Sequence, residues 1–153
     1  MKVLKNLSEA QALVGQELGL SKWQRITQFQ IWGFGLFTGD RQWIHMRPLK
    51  AKLGSPFKTT IAHGFLSLSL VPHLTSQAVL APENLKMVFN YGLDKVRFIN
   101  PVNVGSKVRT HSKCVSVDDK GDGRYLMKTE VTMEIEGVEK PAYVAETLSM
   151  FVT

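Results

Sequence analysis

The sequence predicts an α+β fold in which an antiparallel sheet packs on one buried helix. Two observations carry this. The stretch Thr59 to Leu74, TTIAHGFLSLSLVPHL, is apolar or small on nearly every helical face from Ala62 onward, and a helix without a polar stripe is a buried one. From Met87 the chain becomes a run of strand-like segments divided by turn residues. Helices first and consecutive strands afterwards is the pattern of an α+β layout. The 153 residues are enough for one domain with a real core and too few for two ordinary ones, so a single domain over 1–153 is expected.

The elements follow in order. Ser8 and Gln11 have the spacing of a capping box, which predicts a helix start, with Gly15 as its stop. Trp23 to Ile26 reads as a short strand. Thr27 and Gln30 repeat the capping-box spacing and predict a second helix to about Thr38, with Ile31, Phe34 and Leu36 toward the core. Gly33 and Gly35 each weaken that helix by roughly 1 kcal/mol relative to alanine, so packing must hold it. Thr38 to His45 is expected as a loop, and Pro48 to Lys52 as a short helix with proline in its first turn, broken by Gly54-Ser55-Pro56.

The central helix is expected over about 62–74. Thr59 and Thr60 are placed to cap it, and Gly64 falls in its first turn, where free N–H groups and the lack of a Cβ suit a ligand oxygen. Pro72 should bend or end it. A polar connection, Ala81-Pro82-Glu83-Asn84, leads to strands over Val88–Tyr91, Lys95–Ile99, Lys107–Val117, Tyr125–Ile135 and Tyr143–Val152, with turns at Asp118–Gly123 and Glu136-Gly137. There is no repeat and no low-complexity segment.

Composition narrows the function. A hydrophobic fraction of 44% is that of a globular protein. The N-terminal lysines are not followed by an apolar run, so no signal peptide is expected, and no segment approaches the length of a membrane span. One cysteine, Cys114, excludes an internal disulfide and a cysteine metal cluster. A cytoplasmic setting is expected. The net charge of +6 suits anionic partners, nucleic acid or a phosphorylated small molecule such as coenzyme A, and on charge alone the plain reading of simple solubility is preferred.

Asp40 and His45 stand five residues apart beside Gly39. A carboxylate and an imidazole so placed can hold a water and move its proton. On spacing alone the plainer reading is preferred: Asp40 caps the turn and His45 is an ordinary polar residue. His63 either meets substrate or satisfies the backbone at the buried helix start. His73 and His111 have no partner at metal-ligand spacing. No His-Glu-x-x-His helix, phosphate-cradling glycine loop or Gly-x-Ser-x-Gly turn is present. Cys114 reads as a small core residue, and Trp23, Trp32 and Trp43 as packing groups; they are not interleaved with basic residues, so no nucleic-acid partner is expected.

Taken together, Thr38-Gly39-Asp40-Arg41-Gln42-Trp43-Ile44-His45 and Thr60-Ile61-Ala62-His63-Gly64 resemble the MaoC-like dehydratases, which include the R-specific enoyl-CoA hydratases (hydratase 2). Asn90 to Phe98, Pro101 to Ser106, Lys140-Pro141-Ala142 and Ala145-Glu146-Thr147 are similar to the branch typified by nodulation protein N. The resemblance covers most of the chain. It implies a hot-dog fold, a curved antiparallel sheet wrapped around one long helix, with Asp40 and His45 as the catalytic pair and a dimer at least. One departure stands out: the hydratase pattern Asp-x-Asn-Pro-x-His has Gln42-Trp43 in place of Asn-Pro, with the Asp-to-His spacing kept.

The reaction so implied adds water to a trans-2-enoyl-CoA to give the (R)-3-hydroxyacyl-CoA. Asp40 and His45 would activate the water and the Gly64 N–H would stabilise the thioester enolate. Gln42, Ile61, His63 and Phe65 are the residues expected to meet substrate, with Leu66 beside them in an acyl tunnel. Lys58, Lys95, Arg97 and Lys107 are candidates for the coenzyme A phosphates. No metal and no cofactor beyond the coenzyme A of the substrate is expected. Partners are an acyl-CoA thioester and a second copy of the chain, with no membrane and no nucleic acid. The alternatives are a thioesterase, an acyl-carrier-protein dehydratase, or a non-catalytic acyl-CoA-binding module.

Overall fold

A computed structural model describes residues 7–77 and 83–153. The second half of the chain forms the sheet. Four long strands, β3 (Met87–Phe98), β4 (Lys107–Gly121), β5 (Arg124–Ile135) and β6 (Tyr143–Val152), join two short ones, β1 (Glu17–Leu20) and β2 (Gln24–Arg25). The order is β1-β4-β5-β6-β3, all antiparallel, with β2 also on β4. Period-2 alternation decides which face is inward: Val108, Thr110, Ser112 and Cys114 on β4 and Met127, Val131, Met133 and Ile135 on β5 are buried. The β4–β5 turn is tighter than expected. The strands pair as far as Gly121 and Arg124, leaving Asp122 and Gly123, both at positive φ, as the two-residue turn.

The first half supplies the helices. The short α1 (Leu7–Gln11) contains Ser8, the expected cap, whose side chain lies outside the described residues. Helix α2 (Gln28–Thr38) starts at the predicted box: Thr27 accepts from the Gln30 N–H, and the Gln30 side chain accepts from Thr27 N–H. Ile31 is buried and Phe34 packs against the core, but Leu36 is exposed. Leu36 lies 100° around the helix from the buried Gly35 and so turns out of the core. Trp43–Met46 is a helix, α3, not the predicted loop, and α4 (Pro48–Gly54) follows at once.

The central helix is shorter and broken. It comprises α5 (Gly64–Ser69) and α6 (Val71–Thr75), with Pro72 in the first turn of α6. Proline therefore starts a second helix where it was expected to bend or end one. Thr59 and Thr60 cap nothing, because residues 60–62 are extended. Ala62 N–H donates to Val102 O and Val104 N–H to Thr60 O, at 2.8 and 2.9 Å. Ala62, Leu66, Val71 and Leu74 enter the main core with Ile26, Ile31, Val131 and Tyr143. The helix is not enclosed all round: Phe65 is 69% exposed, and it faces, with Leu68 and Pro72, a groove walled by β3 and β6. The two strands expected over 88–99 are one, β3, with bulges between Asn90 and Gly92 and between Leu93 and Lys95. The connection at Ala81-Pro82 lies outside the described residues.

Candidate active site

The end of α2 delivers Asp40. Gly39, at φ 84°, takes the left-handed cap conformation and its N–H donates to Gly35 O at 3.1 Å. The chain thereby reverses across α2, and this return requires Gly35 to be a glycine. A Cβ there would lie 2.7 Å from both Asp40 O and Met46 Sδ and 3.3 Å from His63 Cε1. Helix α3 then carries His45 inward, where it is buried while Asp40 stays half-buried.

Main-chain carbonyls fix both imidazoles. His45 Nδ1 is 2.7 Å from Ile61 O, and a carbonyl only accepts, so Nδ1 carries the proton and Nε2 keeps its lone pair. His63 Nε2 is 2.9 Å from Asp40 O and donates in the same way. The rings stack, with centroids 3.8 Å apart and planes at 28°. Phe34 also packs against His63, with ring centroids 5.0 Å apart and planes tilted by 46°. Burial holds the His45 pKa below its ordinary value. Its bond to Ile61 opposes that shift, the neighbouring His63 adds to it, and Asp40 opposes it.

Asp40, His45 and His63 each place a donor atom within 4.8 Å of the other two. Such a cluster invites a metal. One nitrogen of each ring donates to a carbonyl, a bond that a metal-ligating histidine also makes, so the second nitrogen of each ring stays open to a metal or to a proton. The arrangement suits proton transfer, a free imidazole nitrogen beside a carboxylate.

Gly64 follows His63 directly, and the Phe98 ring lies against it: a Cβ would come within 3.1 Å of that ring. Phe65 lines the groove, a cavity of roughly 870 Å³, and so does Phe34, the ring that touches His63. Ile61 is buried and offers the site its carbonyl, and Leu66 lies in the core, so neither side chain lines the groove. Gln42 is exposed; its carbonyl accepts from the His45 and Met46 N–H groups at 3.0 and 3.1 Å. Lys95 and Lys107 are paired with Glu146 and Glu136. Gln28 was not anticipated. Its Nε2 donates to His45 O at 2.9 Å while its Oε1 accepts from Thr60, which ties α2 to α3 and to the extended segment.

Residues 9–137 match the family model described as MaoC like domain. The chain belongs to the MaoC-like dehydratase family. It is 44% identical over 152 residues, 99% of both chains, to 3-hydroxyacyl-thioester dehydratase Z of Mycobacterium tuberculosis. It is 39% identical over 145 residues to nodulation protein N of Rhizobium leguminosarum bv. viciae, covering 95% of this chain and 90% of that one. The solved (R)-hydratase of A. caviae, described as involved in PHA biosynthesis, superposes with a TM-score of 0.71 at 21% identity. It covers 89% of this chain and 94% of its own, a likeness of fold. The MaoC-like fold here is the hot-dog fold, with the central helix divided at Leu70.

Proposed function

We propose that this MaoC-like protein is an (R)-specific enoyl-CoA hydratase, adding water reversibly to a trans-2-enoyl-CoA. The observation that carries the proposal is the state of His45. Its Nδ1 is held protonated by Ile61 O, which leaves an unprotonated Nε2 beside the Asp40 carboxylate. Asp40 and His45 hold the water between them. As its oxygen bonds to the β-carbon, one proton passes to the pair and the thioester oxygen becomes an enolate oxygen. The first-turn N–H of Gly64 donates to that oxygen. The pair then returns the proton to the α-carbon, so atoms and charge balance without a metal or redox cofactor. The groove beside Phe65 and Phe34 receives the acyl chain. The dehydratase name of the 44% identical relative supports the reaction class, and the fold shared with an (R)-hydratase supports the handedness.

A homodimer completes the proposal. β3 is a twelve-residue edge strand, exposed along nearly its whole length, with Met87, Val88, Phe89, Tyr91 and Leu93 open to solvent. A long apolar free edge is a liability unless something pairs with it, and a second copy around a two-fold axis does so. Among the described residues no helix is long and apolar enough to cross a membrane. The test is loss of the conjugated thioester absorbance of crotonyl-CoA. The product should be oxidised by a dehydrogenase specific for the R alcohol. Release of free thiol would indicate a thioesterase, and oxidation only by an S-specific enzyme would refute the stereochemistry.

A further inference from the structure

The positive charge of this chain is concentrated in the stretch of sequence that carries its site. From Leu18 to Pro82 the sequence holds seven lysines and arginines against one acid, Asp40; the surplus equals the entire net charge of +6. The rest of the chain has twelve of each sign. Arg41, Arg47, Lys50, Lys52 and Lys58 are all exposed. Among the described residues none of these five forms an ion pair, whereas Lys95, Lys107, Arg109 and Lys128 on the sheet all do.

Helix α4 turns this charge into a shaped surface. Ala51 is its buried position. At 100° per residue, Leu49 and Leu53 project from the opposite side as an i, i+4 ridge, with Lys50 and Lys52 on its two flanks. Leu49 and Leu53 are 72% and 73% exposed. The helix rests on α3: Lys50 Nζ lies 5.0 Å from the Trp43 ring centroid, and a Cβ at Gly54 would be 3.9 Å from Trp43 Cη2. Because α3 carries His45, the ridge is one helix away from the catalytic pair.

The chemistry of this surface selects among occupants. A second copy across a two-fold axis would face Lys50 and Lys52 with their own like charges, and β3 already offers it a better edge. A nucleotide would satisfy the cations and leave both leucines bare. A seven-residue helix with one leucine pair has far less apolar face than helices that lie in a membrane. An acidic protein with an apolar patch satisfies both features. We infer that the outer face of α4 docks a small acidic carrier protein, which presents the acyl group to the site as a thioester. This rests on the hydratase reading of the site.

The experiment compares the crotonyl group on a bacterial acyl carrier protein, on coenzyme A and on N-acetylcysteamine, together with the anisotropy of the labelled holo-carrier. Lys50→Glu/Lys52→Glu should lower kcat/KM on the carrier substrate by about tenfold or more and weaken carrier binding alike, with N-acetylcysteamine turnover unchanged and coenzyme A turnover altered far less. Leu53→Ser, which keeps the charges, should also weaken carrier binding, and added salt should erase the carrier preference. Equal losses on coenzyme A and carrier would overturn the inference in favour of a nucleotide site. Unchanged carrier binding in both variants, or binding to phosphatidylglycerol vesicles that the variants abolish while carrier binding stays, would overturn it as well. If no crotonyl thioester is turned over, the hydratase reading fails, and carrier anisotropy still decides the docking surface.

Discussion

Replacing Gly35 with alanine should damage both the site and the fold, while the same change at Gly33, two residues earlier in α2, should do neither. Alanine gains roughly 1 kcal/mol over glycine in a helix interior. At Gly33 nothing lies within 4 Å of the new methyl, so that gain stands and activity is untouched. At Gly35 the methyl would sit 2.7 Å from Asp40 O and from Met46 Sδ. The sulfur ends a flexible side chain and can swing aside; the carbonyl belongs to the backbone. To reach even 3.4 Å, the near end of ordinary contact, it must retreat by roughly 0.7 Å, and displacements near 1 Å at a reacting centre cost on the order of 10²-fold in rate. That carbonyl also accepts from His63, so the stacked ring shifts with it. Overpacking of this kind costs about 1–3 kcal/mol, which outweighs the helix gain. Urea denaturation and crotonyl-CoA hydration, run on both variants, test the reasoning. It is refuted if Gly35→Ala matches Gly33→Ala in stability and rate.

Three further outcomes are expected. Because burial lowers the pKa of His45, the imidazole stays neutral and basic below pH 6.5, and the acid limb of kcat/KM should fall below that pH. The sign for stability is the same: between the folded pKa and 6.5 the unfolded chain binds more protons, so stability is full above 6.5 and is lost as pH falls through that window. His45→Gln should remove this dependence in a pH series of urea midpoints. Thr27→Ala removes the α2 cap and should cost about 1 kcal/mol with little change in KM, read by the same two assays. Sedimentation equilibrium should return twice the chain mass of 17.2 kDa; a monomer at micromolar concentration would exclude pairing through β3.

The sheet was legible because its physics is periodic. Alternation along β4 and β5 and an Asp-Gly turn leave a trace at every second residue, and the Thr27–Gln30 box marks the start of α2 just as plainly. β1 left none: its four residues include Gly19, and it exists only because β4 offers it an edge. The central helix was read correctly as uncharged on every side, yet a side without charge can face a groove as well as a core, which is the position of Phe65 and Pro72. The resemblance singles out Asp40 and His45, whose spacing alone favours the plainer reading; the structure brings their side chains together with His63. What surrounds them was not legible. The Gln28 link spans 32 residues to Thr60, the His45 partner is a main-chain oxygen that any residue at position 61 would supply, and Gly35 looks like a weak point in a helix until the returning chain is seen against it.

The central claim is that Asp40 and His45 act together on one water. The direct measurement is the hydration rate of crotonyl-CoA by the parent protein, Asp40→Asn, His45→Gln and the double variant, each confirmed as folded by circular dichroism. Each single change should reduce the rate by about 10²–10⁴-fold, and the double variant should be no slower than the worse single one, because groups serving one step do not add. Near-normal turnover in either single variant, or losses that multiply in the double, would contradict it.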